Sequence, residues 1–131
     1  MTRINCVPVE ELHNKHLLAE YRELPRIFKQ ARPYTKRDNV PNQYKMGAGH
    51  VLFFYDKLLW LYKRQTELVK ELLSRDFKIT FVNTQELLEA SPFEHLYNDW
   101  TPTEEAMEIN RQRIRERLIA MGELDNEYDS M

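Results

Sequence analysis

Three long segments carry apolar residues at intervals of three and four, and no comparable run of alternating apolar residues occurs. Together these predict an all-α fold. The expected architecture is a single compact domain of three main helices, with a Pro-bent first helix and long connecting loops. A chain of 131 residues has room for one such domain, and its 42% hydrophobic content suffices to fill a core. The domain is placed at residues 1–122, followed by a mobile acidic tail, ELDNEYDSM, at 123–131.

The first helix is expected to begin between Val9 and Leu12 and to run to about Ala31, with Leu17, Tyr21, Leu24, Phe28 and Ala31 as its core stripe. At about 100° per residue, Lys15, Arg22, Arg26 and Lys29 fall on the opposite face, with His16 and Glu23 beside them. Pro25 removes one backbone hydrogen bond within this helix and should bend it. Residues 32–46 contain Pro33 and Pro41 among Arg32, Lys36, Arg37 and Lys45, and read as a basic surface loop.

The central core helix should follow GAGH, with Val51, Phe54, Leu58, Leu61, Gln65, Leu68 and Leu72 in register. Phe53, Tyr55, Trp60 and Tyr62 widen its apolar surface and read as core rather than as a base-stacking platform. GAGH itself lacks the pattern of a phosphate-cradling loop and is assigned to close packing. Between Asp76 and Pro92 the chain reads as connection, with Phe77–Val82 extended or Thr84–Glu89 briefly helical.

Thr101, Pro102 and Glu104 form a capping sequence for the third helix, and Gly122 stops it. Its stripe is Met107, Ile114, Leu118 and Met121, while Arg113 and Arg117 share another face. No heptad seam is evident, so a monomer is the default.

The formal net charge of -2 conceals a gradient: residues 1–50 hold nine Lys and Arg against five Asp and Glu, whereas residues 101–131 hold four against eight. A basic amino-terminal half suits contact with phosphates. Cys6 is the single cysteine, which excludes an internal disulfide and a Cys-based zinc cluster and fits a reducing, intracellular, cytoplasmic setting. His13, His16, His50 and His95 do not form ligand spacings, so neither a metal nor another cofactor is expected. The start of the chain lacks the apolar core of an export signal, and nowhere do about eighteen apolar residues run together, so no membrane association is expected.

Three blocks carry more specific information: TRIN at 2–5, HLLAEYRELPR at 16–26 and GAGHVLFFYDKL at 47–58. In these the chain resembles the phage-type pyrimidine-dimer DNA glycosylase family. The likeness continues through Lys63-Arg64-Gln65 and, more loosely, to about Leu118, leaving out residues 27–46 and the tail. It implies a bifunctional glycosylase and abasic-site lyase acting on double-stranded damaged DNA without a metal. Met1 would be removed, and the Thr2 α-amine would attack the sugar carbon bearing the damaged base, forming an imine; elimination then cuts the strand. Glu23 matches the family's catalytic glutamate. The resemblance also implies DNA contact by Arg3, His16, Arg22, Arg26, Arg113 and Arg117, and by Lys15, which stands where the family pattern has Gln. Family members kink the duplex and extrude an adenine opposite the lesion.

An α-amine suits the role, since its ordinary pKa of about 7.7–8.0 leaves far more of it neutral near pH 7 than a lysine at about 10.4. Cations such as Arg3, Arg22 and Arg26 would lower it further while binding phosphates. Considered by position alone, Thr2 is an ordinary chain end, Glu23 a solvated partner of Arg26, and the arginines a solvated face. The family's aromatic carboxyl-terminal segment, associated with lesion recognition, is absent here. Two alternatives therefore stand beside dimer excision: the same chemistry on another modified or oxidised base, and a non-catalytic DNA-binding module.

Overall fold

The computed structural model describes residues 4–31, 41, 43–47, 50–90 and 94–122. Thr2, Arg3, most of the basic loop and the acidic tail lie outside these residues. The described chain is all-α: α1 (Asn14–Gln30), α2 (Leu58–Ser74), a short α3 (Glu86–Ala90) and α4 (Glu104–Ala120), with single 3-10 turns at Val9–Glu11, Leu52–Phe54 and Glu94–Leu96. No strand occurs among the described residues, and the Phe77–Val82 stretch is connection.

The expected stripe of α1, Leu17, Tyr21, Leu24 and Phe28 with Ala31 at its end, is buried throughout and faces α2. The helix starts later than its periodicity suggests. Arg75, at the end of α2, donates to the carbonyls of Val9, Glu10 and Leu12 and to Asn14 Oδ1. Val9 O accepts from Leu12 N as well, closing a single 3-10 turn, and the chain re-enters a helix after His13, whose Nδ1 caps Lys15 N at 3.1 Å. α1 passes through Pro25 without interruption. Proline leaves the carbonyl four residues earlier, that of Tyr21, without its helical donor, and the buried Gln65 amide supplies one at 3.2 Å.

The second helix also begins later than expected, at Leu58 rather than Val51. Side chains take the preceding carbonyls: Lys57 Nζ donates to Phe53 O at 2.9 Å and Asn98 Nδ2 to Asp56 O at 2.8 Å. At its far end Asp76 adopts a positive φ of 65°. Asp76 N donates to Leu73 O and Phe77 N to Leu72 O, the paired bonds of a Schellman stop.

For α4 the cap is Thr103, not Thr101: Thr103 Oγ1 accepts from Ala106 N at 3.0 Å. Capping there puts Glu104 and Glu105 in the first turn, where the helix dipole favours negative charge. Gly122, at φ 77°, ends the helix as expected. The residues that α4 buries are Ala106 and Asn110, whereas Met107, Ile114 and Leu118 are only partly covered and Met121 is exposed. The expected stripe is thus displaced, because α4 packs on something that needs a small side chain and an amide.

That something is the segment Ile4–Val7, which belongs to no helix. Asn110 Oδ1 accepts from Cys6 N at 2.8 Å and Val7 N at 3.1 Å, and its Nδ2 donates to Asn5 Oδ1 at 2.8 Å. Asn5 Nδ2 donates to Glu20 of α1 at 2.9 Å, and Arg64 of α2 donates to Val7 O at 2.7 Å. Residues of α1, α2 and α4 therefore all converge on this one segment. Asn110→Ala would strand two buried N–H groups, each costly to leave unmet, and should destabilise the protein by about 2–3 kcal/mol. Urea unfolding measures this; a loss under about 1 kcal/mol would mean that the segment is held by other contacts.

Burial pushes the Cys6 thiol up to about 12, against the opposing pull of Arg64. Because the thiolate is the reactive form, iodoacetamide should leave Cys6 untouched in the folded protein and alkylate it in denaturant. Rapid labelling of native protein, read by mass spectrometry, would contradict this burial.

Phe53, Phe54 and Trp60 are core, as expected. Tyr44 is core as well, which corrects its assignment to a surface loop. It stacks on Trp100 with centroids 5.9 Å apart and meets Phe53 and Phe54 edge-on. An isolated tyrosine among prolines and cations carries no periodicity that would announce burial.

Candidate active site

Helix α1 presents His16, Ala19, Glu20 and Glu23 along one side, where residues three and four apart are neighbours. Across from them stand Arg117, Ala120 and Met121 at the end of α4, with Lys15 and Asn5 completing a cleft of about 320 Å³. Of the residues singled out from sequence, Lys15, His16, Glu23 and Arg117 are thus brought together. The rim is cationic, two carboxylates lie on the α1 wall, and Ala19, Ala120 and Met121 add apolar surface.

Glu23 is partly buried and accepts from Arg26 Nη1 at 3.1 Å. The i,i+3 ion pair expected of a solvated helix is therefore present, and it holds the carboxylate at the cleft wall. Arg22 and Arg26 are exposed on α1 flanking Glu23, as the helical projection requires, but do not line the cleft. Arg113 is not in the lining either; its Nη1 faces Glu116 Oε2 at 3.4 Å one turn before Arg117. Thr2 and Arg3 lie outside the described residues.

Beneath the cleft is a residue that the sequence reading passed over. Glu20 is 1% exposed, yet charged: Arg64 Nε meets its Oε2 at 2.7 Å and Arg64 Nη2 its Oε1 at 3.2 Å. Burial opposes the charge on Arg64, but attraction and hydrogen bonding from Glu20 outweigh it and hold the guanidinium above its ordinary pKa. A helical projection could have found this pair. Glu20 lies between Leu17 and Leu24 on the core side of α1, and Arg64 between Leu61 and Leu68 on that of α2. Charges at core positions mark either a paired site or a misread face. Asn5 and Asn110 gave no such signal, since their partners lie 105 residues apart in sequence.

Among the described residues, no group of three or more His, Cys, Asp or Glu could hold a metal ion. No described helix is long and apolar enough to cross a membrane.

Residues 1–83, well over half of the chain, match the pyrimidine dimer DNA glycosylase family. The chain belongs to this family. Membership makes DNA its substrate and assigns it to the glycosylases of DNA repair. The family match includes α1 with Glu20 and Glu23, as well as Lys15, His16 and Asn5, and so one whole wall of the cleft. The facing wall, Arg117, Ala120 and Met121, comes from residues beyond the match.

Proposed function

We propose that this member of the family excises pyrimidine dimers from duplex DNA and then cuts the strand at the abasic site, with the Thr2 α-amine as nucleophile. The observation that carries this reading is the convergence of Asn5, Glu23, Lys15, His16 and Arg117 on one cleft. Two peptide units span at most about 7 Å. Covalent connectivity alone therefore limits the Thr2 Cα to that distance from the Ile4 Cα, and Ile4 precedes Asn5 of the cleft lining.

The neutral amine attacks C1′ of the damaged nucleotide, and the base departs with the N-glycosidic electrons and takes up a proton. Opening of the sugar ring gives a cationic imine between Thr2 nitrogen and C1′. The Glu23 carboxylate stabilises that cation and moves protons at the sugar. Loss of a proton from C2′ expels the 3′-phosphate, and water then hydrolyses the imine to return the free amine. Lys15, His16 and Arg117 on the rim, with Arg22, Arg26 and Arg113 outside it and Arg3 next in sequence to Thr2, bind phosphates and hold the opened duplex.

This chemistry is tested by treating the enzyme with borohydride in the presence of abasic-site DNA. Reduction of the imine should leave a stable protein–DNA adduct through the Thr2 nitrogen, located by peptide mass spectrometry. Protein in which Met1 is retained should give no such adduct. Absence of any adduct with the Thr2-terminal protein would overturn the mechanism and favour a binding module.

A second reading concerns the base alone. The wall contributed by α4 lies beyond the family match, and the exposed, flexible side chain of Met121 stands on it. The same chemistry on another modified or oxidised base is favoured if duplexes carrying single defined lesions are cleaved faster than one carrying a thymine dimer.

A further inference from the structure

The motif GAGHVLFFYDKL contains one residue that the proposed chemistry leaves without a role. His50 is 3% exposed, and its Nε2 lies 2.8 Å from the backbone nitrogen of Ile4. A backbone N–H can only donate, so Nε2 is the acceptor and the ring proton sits on Nδ1. That proton is donated to Lys45 O at 2.7 Å. Both ring nitrogens are thus committed, and the tautomer follows from the partners.

The ring is also held laterally. It packs edge-on against Tyr44 and Phe54, with centroids 5.4 and 5.8 Å away. Tyr44 in turn donates its hydroxyl to Ile4 O at 2.9 Å. His50 and Tyr44 therefore grip both polar groups of Ile4, the N–H and the C=O, from one packed aromatic unit. The local sequence supports this arrangement. Gly47 takes a φ of 80° with open space where a Cβ would stand, so it serves the turn closed by His50 N to Gly47 O rather than close packing.

We propose that His50 is a positioning residue for the reaction, acting through the Ile4 N–H to aim the amino terminus at the cleft lined by Asn5, Glu23 and Arg117. The proposal rests on Thr2 being the nucleophile. Ile4 lies two residues after Thr2, so the Ile4 N–H bond fixes the point and direction from which Arg3 and Thr2 extend. No described residue lies closer in sequence to Thr2 than Ile4.

Two isosteres separate positioning from packing. In His50→Gln the side-chain oxygen reaches the place of Nε2 and preserves the acceptor for Ile4 N–H. In His50→Asn the shorter amide reaches only the place of Nδ1 and preserves the bond to Lys45. Both variants and the parent are assayed below their thermal transitions, for affinity to a duplex with an uncleavable tetrahydrofuran site and for single-turnover borohydride trapping on abasic DNA. Affinity should agree within about twofold across all three, while trapping by His50→Asn falls at least about tenfold and His50→Gln stays within about threefold of the parent, as misaimed nucleophiles lose rate rather than binding. Equal trapping by His50→Asn and the parent would overturn the proposal. So would equal losses in both variants, or affinity falling together with trapping, which would make His50 a residue of the fold alone. Failure of the parent itself to trap would instead overturn the Thr2 reading, and this inference with it.

Discussion

Glu23→Gln is expected to bind damaged duplex DNA at least as tightly as the parent and to lose base release by about three orders of magnitude or more. In the proposed mechanism the rate loss follows from removing the anion that faces a developing cation, where one electrostatic or proton-transfer group typically supplies about 10²–10⁴. Binding should persist because the proposed phosphate contacts belong to other side chains, and deleting a negative charge near the DNA weakens a repulsion. Glu23 is partly exposed and pairs with Arg26 at 3.1 Å, an exposed i,i+3 contact of the kind that contributes little to stability. Single-turnover base release and equilibrium binding, measured side by side with a thermal melt, give the three readouts. A variant that keeps its turnover would remove Glu23 from the chemistry and leave it as a helix-surface partner of Arg26.

Arg64→Ala is expected to cost about 3–5 kcal/mol of stability, because it leaves the buried Glu20 carboxylate without its cation. It also removes the donor to Val7 O at 2.7 Å, loosening the segment that follows the proposed nucleophile in sequence. For a domain of this size the melting temperature should fall by on the order of 10–20 °C. A second change, Glu20→Gln in the Arg64→Ala background, removes the stranded charge and should recover part of the loss, a coupling of about 0.5–3 kcal/mol. If the single and double variants melt together, the Glu20–Arg64 pair is not the element that secures the centre of the fold.

The basic residues and Glu23 were legible because helical periodicity locates a side chain relative to the core stripe. Once Leu17, Tyr21, Leu24 and Phe28 face inward, Lys15, Arg22 and Arg26 must face outward, and His16 and Glu23 fall at the margin. Helix starts were less legible, for a common reason. Val9–Glu11 and Leu52–Phe54 continue the apolar pattern of the helices that follow them. Carbonyls in and just after these segments are nonetheless met by side-chain donors, Arg75 and Asn98 from elsewhere in the chain and Lys57 from the adjoining turn. Periodicity reports which face is buried and is blind to competition for a carbonyl. The α4 stripe failed similarly: Ala106 and Asn110 are buried because a backbone segment lies against them, and hydrophobicity does not measure that fit.

By itself, the sequence determined the all-α class, the core stripes of α1 and α2, the basic outward face and, through three short blocks, the family. These depend on residues near one another along the chain or on motifs that can be read without coordinates. Only the tertiary structure decided that Arg117 faces Glu23 across a cleft while Arg113 does not. It also placed Glu20 and Arg64 as a buried pair, and had Asn110, Tyr44 and His50 hold the amino-terminal segment. The bonds that hold Ile4 and Asn5 to Tyr44, His50 and Asn110 join residues 40 to 105 positions apart. A hydrogen bond of that reach leaves no periodic trace, because its energy depends on two atoms meeting in space and on nothing in the residues between them.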